Sequence, residues 1–292
     1  MLKRIAIYSK DNNTRTRDGV QKLVSEFCRH GIEISIFQKP GDIMMSFGKD
    51  LITPFTDLES MHDLPDMIMS VGGDGTFLET VLKVKDSGIP VAGVNTGRMG
   101  FLANIPNEEI GISVDQLCNG EYELVDRTML EISRPEGLFG EEASTALNEI
   151  TIQKTFLSMV IIHVYVNGMF LNTYWADGLI VSTATGSTAY NLSAGGPILS
   201  PSDESIVISP ISPHNLTIRP IVLSGKNELR MVMESRTEEC LATCDFRFRN
   251  IPVSEEIRII QCPHKLRTVM LKGRDFYSTL RNRLMWGADK RN

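Results

Sequence analysis

The chain has 292 residues, 42% of them hydrophobic and 23% charged, which is typical of a globular protein and at this length favours two domains over one core. A formal charge of −6, with no dense cluster of Lys and Arg, disfavours nucleic acid as the main partner. No apolar run approaches the roughly 18 residues that a membrane span needs, so no membrane partner is expected.

The cysteines are five in number and thinly spread, which does not indicate a disulfide framework. A reducing, cytoplasmic location is therefore expected, and the polar N-terminus is not typical of a signal peptide. Cys240, Cys244, Cys262 and His264 could be imagined as a zinc site, but they lack the paired spacing of one. Buried thiols are the better interpretation, and no metal site built from protein residues is predicted.

The first third of the chain alternates between strand and helix patterns. Runs of buried or alternating apolar residues predict strands at 4–9, 32–37, 66–71 and 90–94. Apolar residues from Val20 to Cys28 recur at helical spacing, and Gly31 is placed to end that helix. The alternation predicts an α/β N-terminal domain, residues 1–126, with a Rossmann-like parallel sheet and ligands at the carboxyl ends of its strands.

The pattern changes at about residue 127. Short β-branched runs then follow one another, separated by Gly, Asn, Ser and Pro. They predict an all-β, sandwich-like C-terminal domain over residues 127–270. Phe276, Leu280 and Leu284 are spaced as in a helix, which is expected within 271–292. Because the β region has no helical neighbours, this helix is expected to return to the first domain.

A glycine-rich turn follows the third predicted strand. Gly72-Gly73-Asp74-Gly75-Thr76 leads into a helix expected to begin at about Thr76. Glycines let the backbone approach a ligand closely, and successive N–H groups at a helix start suit a phosphate. The turn is neither a Walker A motif nor G-x-G-x-x-G. A plain tight turn between strand and helix is the structural alternative.

The aspartate in this turn would repel a phosphate unless it had another task. Asp74 could coordinate the Mg²⁺ of a nucleotide, or it could accept a proton from an attacking hydroxyl. Glu79 follows Thr76 by three residues, the spacing of a capping box. We therefore interpret Glu79 as a cap of the helix rather than as a substrate contact.

The turn resembles the signature shared by a kinase superfamily that contains NAD kinases, diacylglycerol and sphingosine kinases, and 6-phosphofructokinases. Further segments are similar to the NAD kinase branch, also called the ATP-NAD kinase family: 95–102, the pair Asn148-Glu149 before 150–152, 177–197 and 209–220. The resemblance covers roughly residues 66–223. It implies transfer of the γ-phosphoryl group of ATP to the 2′-hydroxyl of the adenosine ribose of NAD, giving NADP and ADP.

The resemblance also implies roles for individual residues. Asp74 would be the catalytic base beside the 2′-hydroxyl. The phosphates of ATP, which enters with a divalent metal ion (Mg²⁺), would be held by Gly72, Gly73, Gly75 and Thr76. NAD would contact Asp74, Gly75, Asn148, Glu149, Asp177, Thr185, Thr188, Ala189, Tyr190, Asn191, Leu192 and Ser193.

Several of these residues also have a plainer structural interpretation. Asn148 could be a turn residue, Glu149 a solvated strand end, and Asp177-Gly178 a hairpin turn. The run from 182 to 190 could be a polar strand and turn in which several hydroxyls are structural. For Tyr190 the functional interpretation is specific: its aromatic ring could stack on a base of the dinucleotide.

Two features stand outside the implied site. In place of the family's Asp-Gly-Gln-like turn, this chain has Asp245-Phe246-Arg247, whose arginine could meet the pyrophosphate of the dinucleotide. His214 lies between Pro213 and Asn215 and is interpreted as a structural histidine.

The resemblance implies a homodimer or homotetramer. Two other functions remain alternatives. A lipid kinase of the diacylglycerol or sphingosine type, or a sugar kinase, shares the glycine turn but has no reason to carry the 185–190 segment. A non-catalytic regulator that binds NAD would not need Asp74 beside the phosphates.

Overall fold

The computed structural model describes residues 2–11, 13–37, 52–59, 61–97, 100–140 and 142–285. They form two compact units: one comprises the described parts of 1–126 and 266–292, the other those of 127–265. Among the described helices, none combines the length and apolar character needed to cross a membrane.

The elements follow one another in chain order. Up to residue 127 they are β1 (Arg4–Tyr8), α1 (Thr14–Arg29), β2 (Glu33–Phe37), β3 (Ile52–Phe55), β4 (Met67–Gly72), α2 (Asp74–Val84), β5 (Val91–Asn95), β6 (Ile105–Pro106), α3 (Ile110–Cys118) and β7 (Tyr122–Arg127). The middle elements are β8 (Leu130–Arg134), β9 (Thr145–Ala146), β10 (Glu149–Lys154), β11 (Val160–Val166), β12 (Met169–Ala176), β13 (Gly178–Ser182), α4 (Tyr190–Ser193), β14 (Ser205–Ile211), β15 (Ile221–Ser224), β16 (Leu229–Glu234), β17 (Glu239–Cys244), β18 (Arg247–Pro252) and β19 (Ile257–Gln261). The chain then continues with β20 (Leu266–Leu271) and α5 (Phe276–Leu284). Short 3-10 turns cover Asn107–Glu109 and Thr185–Thr188.

The first unit is built on a sheet of order β3-β2-β1-β4-β5-β20-β7, to which β6 adds beside β5. The pairs β1–β2, β1–β4, β2–β3, β4–β5, β5–β6 and β5–β20 are parallel. In α1, Val20, Leu23, Val24 and Phe27 form one buried stripe. Asn13 caps its first turn by accepting a hydrogen bond from the N–H of Thr16 at 3.0 Å. The carboxyl ends of β1, β4 and β5 meet at one edge of the sheet, as in ligand-binding α/β domains.

The second unit consists of two six-stranded sheets, of order β15-β14-β13-β10-β17-β18 and β12-β11-β16-β19-β8-β9. The neighbours within both sheets are antiparallel. Alternate apolar residues of the two sheets share one core, for example Ile150 and Ile152 of β10 with Ile162 and Val164 of β11. This confirms the predicted fold class of a parallel α/β part and an all-β, sandwich-like part.

The structure differs from the predicted boundaries near the C-terminus. Residues 266–270 were expected in the β domain, but β20 pairs in parallel with β5, with Thr268 opposite Val91. A short strand pattern does not reveal which sheet it joins, and here the parallel sheet of the first unit provides the partner. The segment from 266 onward, with helix α5, is part of the first unit. Residues 286–292 of the expected helical region lie outside the described residues.

Candidate functional site

The glycine turn lies at the carboxyl end of β4. Strand β4 ends at Gly72, and α2 begins at Asp74 with Gly73 as its N-cap, which provides no side-chain hydrogen bond. Gly73 and Gly75 are exposed, and a Cβ atom at either position would have no described atom within 4 Å. The N–H groups at the start of α2 are therefore open to an anion, at the positive end of the helix dipole.

Gly72 and Thr76 pack against each other within the turn. A Cβ atom at Gly72 would overlap the hydroxyl of Thr76, so the turn can pack this tightly only around a glycine. Thr76 is buried within the first turn of α2. Of the four predicted phosphate contacts, Gly73 and Gly75 are thus exposed, whereas Gly72 and Thr76 shape the turn.

Asp74 is held by the loop that follows β5. Its carboxylate accepts hydrogen bonds from the backbone N–H groups of Phe101, Leu102 and Ala103 at 2.8, 3.1 and 2.9 Å. A Cβ atom at Gly100 would overlap this carboxylate, so the loop reaches Asp74 because residue 100 is glycine. A carboxylate offers about four acceptor positions. Three are occupied here, which fixes the orientation of Asp74 and leaves about one position for a further donor.

The start of the same loop contacts the glycine turn directly. The N–H of Thr96 donates to the carbonyl of Gly72 at 3.1 Å, and the N–H of Gly97 donates to Oδ1 of Asn95 at 2.7 Å. Segment 95–102, singled out by its resemblance to a family loop, therefore adjoins the turn as far as it is described. Arg98 and Met99 lie outside the described residues.

The structure overturns the capping interpretation of Glu79. The N-cap is Gly73, which is extended at φ −114° and ψ −169°, so α2 begins two residues before the expected start at Thr76. Glu79 instead accepts a hydrogen bond from the hydroxyl of Tyr8 at 2.9 Å and pairs with Lys10. Burial and the neighbouring Glu79 carboxylate raise the pKa of Tyr8. Glu79 thus joins α2 to the end of β1.

In the second unit, the Asn148-Glu149 pair is fixed by a buried aspartate. Asp245 accepts hydrogen bonds from the backbone N–H groups of Leu147, Asn148 and Glu149 at 2.9, 2.8 and 3.2 Å. It lies in the left-handed region at φ +53°, in the tight turn between β17 and β18. Burial raises the pKa of Asp245, although the three N–H donors and Arg247 act in the opposite direction.

Glu149 is a buried carboxyl group close to Asp245. The residue is 8% exposed, and Oε2 has no hydrogen-bond partner among the described residues. Burial, with a contribution from the charge of Asp245, raises the pKa of Glu149 from 4.5 to about 8, although a hydrogen bond from the N–H of Tyr190 opposes the rise. The carboxyl group is therefore largely protonated at neutral pH. Glu149 is buried, so it is not the solvated strand end that the structural alternative proposes.

The turn from Thr183 to Asn191 packs beside this pair. Thr183 donates from its hydroxyl to the carbonyl of Leu147 at 2.6 Å and accepts from the N–H of Gly186 at 3.0 Å. A Cβ atom at Gly186 would overlap the carbonyl of Asn148, so this glycine permits the close approach. The contacts place the predicted 185–193 segment next to Asn148 and Glu149.

Several polar side chains of this segment form hydrogen bonds within the protein. For its hydroxyls, the sequence predicted such a structural role. The amide of Asn191 is fully buried, donates to the carbonyls of Ser187 and Pro197 at 3.2 and 3.1 Å, and accepts from Ser209 Oγ at 2.7 Å. Ser187 is also fully buried and donates to the carbonyl of Ala184 at 2.7 Å. These bonds hold the turn in one conformation.

The other predicted NAD contacts of this segment differ in exposure. Thr185 is buried, and its hydroxyl lies 3.5 Å from Nη1 of Arg127, whose pKa burial lowers to about 10. Thr188 donates to the carbonyl of Thr185 at 3.3 Å. Tyr190 and Ser193 are exposed, and Ala189 and Leu192 are half-buried. The accessible surface of the segment is therefore formed mainly by residues 188–193.

Asp177 and Arg247 have partners within the protein. Asp177 forms an ion pair with Lys154 at 2.6 Å at the start of β13. Arg247 is buried and donates to the backbone carbonyls of Ala143 and Thr145. The sequence suggested that Arg247 could meet a pyrophosphate. In the structure, both Nη atoms of its guanidinium group instead bind backbone carbonyls. Its neighbour in the turn, Asp245, carries the contacts to Asn148 and Glu149.

The described residues contain no group of three or more His, Cys, Asp or Glu side chains that could hold a metal ion. Of the four residues Cys240, Cys244, Cys262 and His264, the last two are neighbours, with Sγ of Cys262 3.3 Å from Nδ1 of His264. The five cysteines form no disulfide with one another.

Sequence reasoning missed the residues that hold the named ones in place. Asp245 could have been suspected from its position in an atypical turn, and Gly100 from its place in the similar 95–102 segment. Nothing in the local sequence indicates that the N–H groups of 101–103 bind Asp74.

Comparisons with known proteins follow the same two-part division. Residues 12–122 match the model of the ATP-NAD kinase N-terminal domain, and residues 147–271 match that of the ATP-NAD kinase C-terminal domain. An NAD kinase from Cytophaga hutchinsonii is 40% identical over 276 residues, covering 94% of each chain. One from Flavobacterium johnsoniae is 37% identical over 295 residues, covering 99% of this chain and all of the relative.

Solved structures share the fold. Yeast NADH kinase complexed with NADH superposes with a TM-score of 0.83 at 22% identity, covering 99% of this chain and 89% of the yeast chain. An NAD kinase from Archaeoglobus fulgidus in complex with ATP gives a TM-score of 0.76 at 24% identity, covering 97% and 98%.

Proposed function

The chain belongs to the ATP-NAD kinase family, and we propose that it transfers the γ-phosphoryl group of ATP to the 2′-hydroxyl of the adenosine ribose of NAD, giving NADP and ADP. The observation that carries the proposal is the glycine turn at the start of α2. There an uncapped helix start lies open beside one carboxylate of fixed orientation.

The glycine turn is assigned to the phosphates of ATP. Gly73 and Gly75 leave room for a phosphate to approach the backbone, and Gly72 with Thr76 keeps the turn in shape. The helix dipole and the N–H groups favour negative charge at this point. Mg²⁺ enters as part of the MgATP substrate and neutralises charge on the phosphates.

Asp74 is assigned to the attacking hydroxyl. The 2′-oxygen forms a bond to the γ-phosphorus while the bond from that phosphorus to the β–γ bridging oxygen breaks, and ADP leaves. The hydroxyl proton passes to Asp74 late in the reaction, because phosphoryl transfer has a loose transition state. The three N–H bonds that orient this carboxylate favour a positioning role, for which accurate placement matters more than strong basicity.

NAD is assigned to the contacts that the resemblance implies. Oε2 of Glu149 is buried without a partner among the described residues, so a ligand hydroxyl or amine would satisfy it. Exposed Tyr190 offers a ring for stacking. Asn148, Asp177, Thr185, Thr188, Ala189, Leu192 and Ser193 complete the proposed contacts. Asn191 contributes by holding the turn, since its amide is bound within the protein.

We assign the protein to the cytoplasm as a homodimer or homotetramer. Five cysteines that form no disulfide with one another fit a reducing compartment. Exposed apolar side chains of the second unit, among them Phe156, Leu157 and Phe248, fit a surface covered by another copy. Light scattering on the purified chain measures the number of subunits, and a monomer at micromolar concentration would contradict this assignment.

A coupled assay tests the proposed reaction. The purified chain is incubated with NAD and MgATP, and NADP is detected by cycling through glucose-6-phosphate dehydrogenase. NADP should form only when both substrates and Mg²⁺ are present. NAD binding without turnover would support a regulator instead, and consumption of ATP with diacylglycerol or a sugar phosphate would support another kinase of the superfamily.

A further inference from the structure

The loop that orients Asp74 is itself held by an arginine from the far end of the chain. Arg274 follows β20, and its Nη1 donates to the backbone carbonyl of Asn104, immediately after the three residues that bind Asp74. Its Nη2 binds Glu109 beside the start of α3. All of these residues belong to the first unit.

The hydrogen bond from Arg274 to Asn104 lies in a largely buried position and restrains the loop. Asn104 is 9% exposed, so its carbonyl needs a partner, and a charged donor makes a strong hydrogen bond to it. The Arg274 side chain is 21% exposed. Loss of Arg274 would leave a buried acceptor without its donor at the end of the Asp74-binding loop.

Weaker contacts hold the loop elsewhere. Nδ2 of Asn95 lies 3.5 Å from the carbonyl of Ala103, and Nδ2 of Asn104 lies 3.7 Å from Sδ of Met270. The guanidinium of Arg283 lies 5.9 Å from the centre of the Phe101 ring. Two of these contacts again come from β20 and α5, so the C-terminal segment supports the loop at several points.

We propose that Arg274 is a positioning residue for the kinase reaction: it fixes the 100–104 loop, whose N–H groups fix the carboxylate of Asp74. The inference rests on the proposed function of Asp74. Arg274 touches neither substrate nor the transferred phosphoryl group. It acts through the loop, and therefore on the orientation of the catalytic carboxylate.

The consequence is a loss of rate with little loss of binding. A catalytic group displaced by about 1 Å can lower a rate by about a hundredfold. Arg274→Ala should lower kcat by about 10- to 100-fold, while KM for NAD and for ATP changes by less than about threefold. Methylguanidinium added to this variant should restore part of kcat by occupying the vacated position.

Two variants serve as controls. Arg281→Ala removes a positive charge at an exposed position of α5 and should leave kcat unchanged. Glu109→Gln removes the ion pair with Nη2 but keeps the bond from Arg274 to Asn104, so its effect on kcat should be small. A loss of kcat in Glu109→Gln equal to that in Arg274→Ala would show that the ion pair, and not the loop contact, is what matters.

Amide hydrogen exchange gives a readout that does not depend on activity. In Arg274→Ala, the N–H groups of 101–103 should exchange faster than in the wild-type chain, whereas the core strand β4 should keep its protection. Unchanged exchange at 101–103 would overturn the inference, and so would faster exchange throughout the first unit, since that would indicate general destabilisation.

A double-mutant cycle with Asp74→Asn completes the test. If Arg274 acts through Asp74, adding Arg274→Ala to Asp74→Asn should lower kcat by less than about twofold further, because the oriented group is already gone. Multiplicative losses would overturn the inference. If the wild-type chain forms no NADP at all, the proposed function fails instead, and the exchange result still reports whether Arg274 holds the loop.

Discussion

Replacing Glu149 with glutamine should make the protein more stable at alkaline pH, and the gain should vanish in acid. Glu149 is buried near Asp245, and Oε2 has no partner among the described residues. Burial, reinforced by the charge of Asp245, disfavours its ionised form in the folded chain. Glutamine keeps the shape of the side chain but remains neutral at every pH.

The sign follows from the raised pKa. Below pH 4.5 the carboxyl group is protonated in both folded and unfolded chains and has no effect on the pH dependence of stability. Between pH 4.5 and about 8 the unfolded chain ionises Glu149 while the folded chain keeps it protonated, so stability falls as pH rises. At about 1.4 kcal/mol for each pKa unit, the rise from 4.5 to about 8 destabilises the fold by at most about 5 kcal/mol above pH 8.

Urea denaturation followed by circular dichroism, at intervals from pH 5 to pH 9, measures this difference. The free energy of unfolding of Glu149→Gln should approach that of the wild-type chain at pH 5 and exceed it increasingly up to pH 8. The matched control is Glu238→Gln, at an exposed position of the same unit. If the wild-type and Glu149→Gln profiles run parallel from pH 5 to pH 9, Glu149 has the same pKa in the folded and unfolded chains, and the prediction is wrong.

Two further predictions concern the reaction itself. Asp74→Asn keeps the size of the side chain but replaces the proton-accepting carboxylate by an amide, whose NH2 group must face a backbone N–H of the 101–103 loop. The kcat should therefore fall by roughly 10²–10⁴, while the Kd for NAD, measured by calorimetry, stays nearly constant. A variant with most of its kcat would show that the base is another group. Asn148→Ala should weaken NAD binding by roughly 1–3 kcal/mol, the cost of leaving a buried polar partner unpaired. Steady-state kinetics should show a much smaller change in KM for ATP, and the reverse pattern would mean that the two nucleotide sites are exchanged.

Much of the first unit could be predicted from local patterns. The strand, glycine turn and helix around residues 67–84 follow from an apolar run, three glycines and helical spacing, which are all local features. The start of α2 was placed two residues late because glycine at 73 provides the N-cap without a side-chain signal. Helix ends that depend on backbone conformation alone are poorly marked in a sequence.

Other strands carry little signal in the sequence, because pairing with a neighbouring strand defines them. Strand β3 contains Pro54 and lies at the edge of the first sheet, where the missing N–H is tolerated. Strand β18 has the largely exposed run Phe248-Arg249-Asn250 and is likewise an edge strand. Neither shows the alternation of a half-buried strand. Only the neighbouring strand reveals them.

In the candidate site, too, some residues could be predicted from local sequence and others could not. Asp74 and Glu149 could be named from motifs, but the groups that set their chemistry are distant in sequence. The N–H of Ala103 is 29 residues from Asp74, and Asp245 is 96 residues from Glu149. Such contacts depend on how the chain folds and leave no local periodicity. Motif resemblance therefore located the residues, and the structure supplied the loop and the turn that hold them.

Phosphorus NMR of the reaction product shows which oxygen of NAD receives the phosphoryl group. The purified chain is incubated with NAD and MgATP, and the product is compared with authentic 2′- and 3′-phosphorylated standards. An in-line transfer needs the attacking oxygen about 3–3.5 Å from the phosphorus, and Asp74 lies in the same short turn that is assigned to the donor phosphates. We expect a single new phosphate, on the adenosine 2′-oxygen. A phosphate on the 3′-oxygen or on the nicotinamide ribose would contradict this expectation.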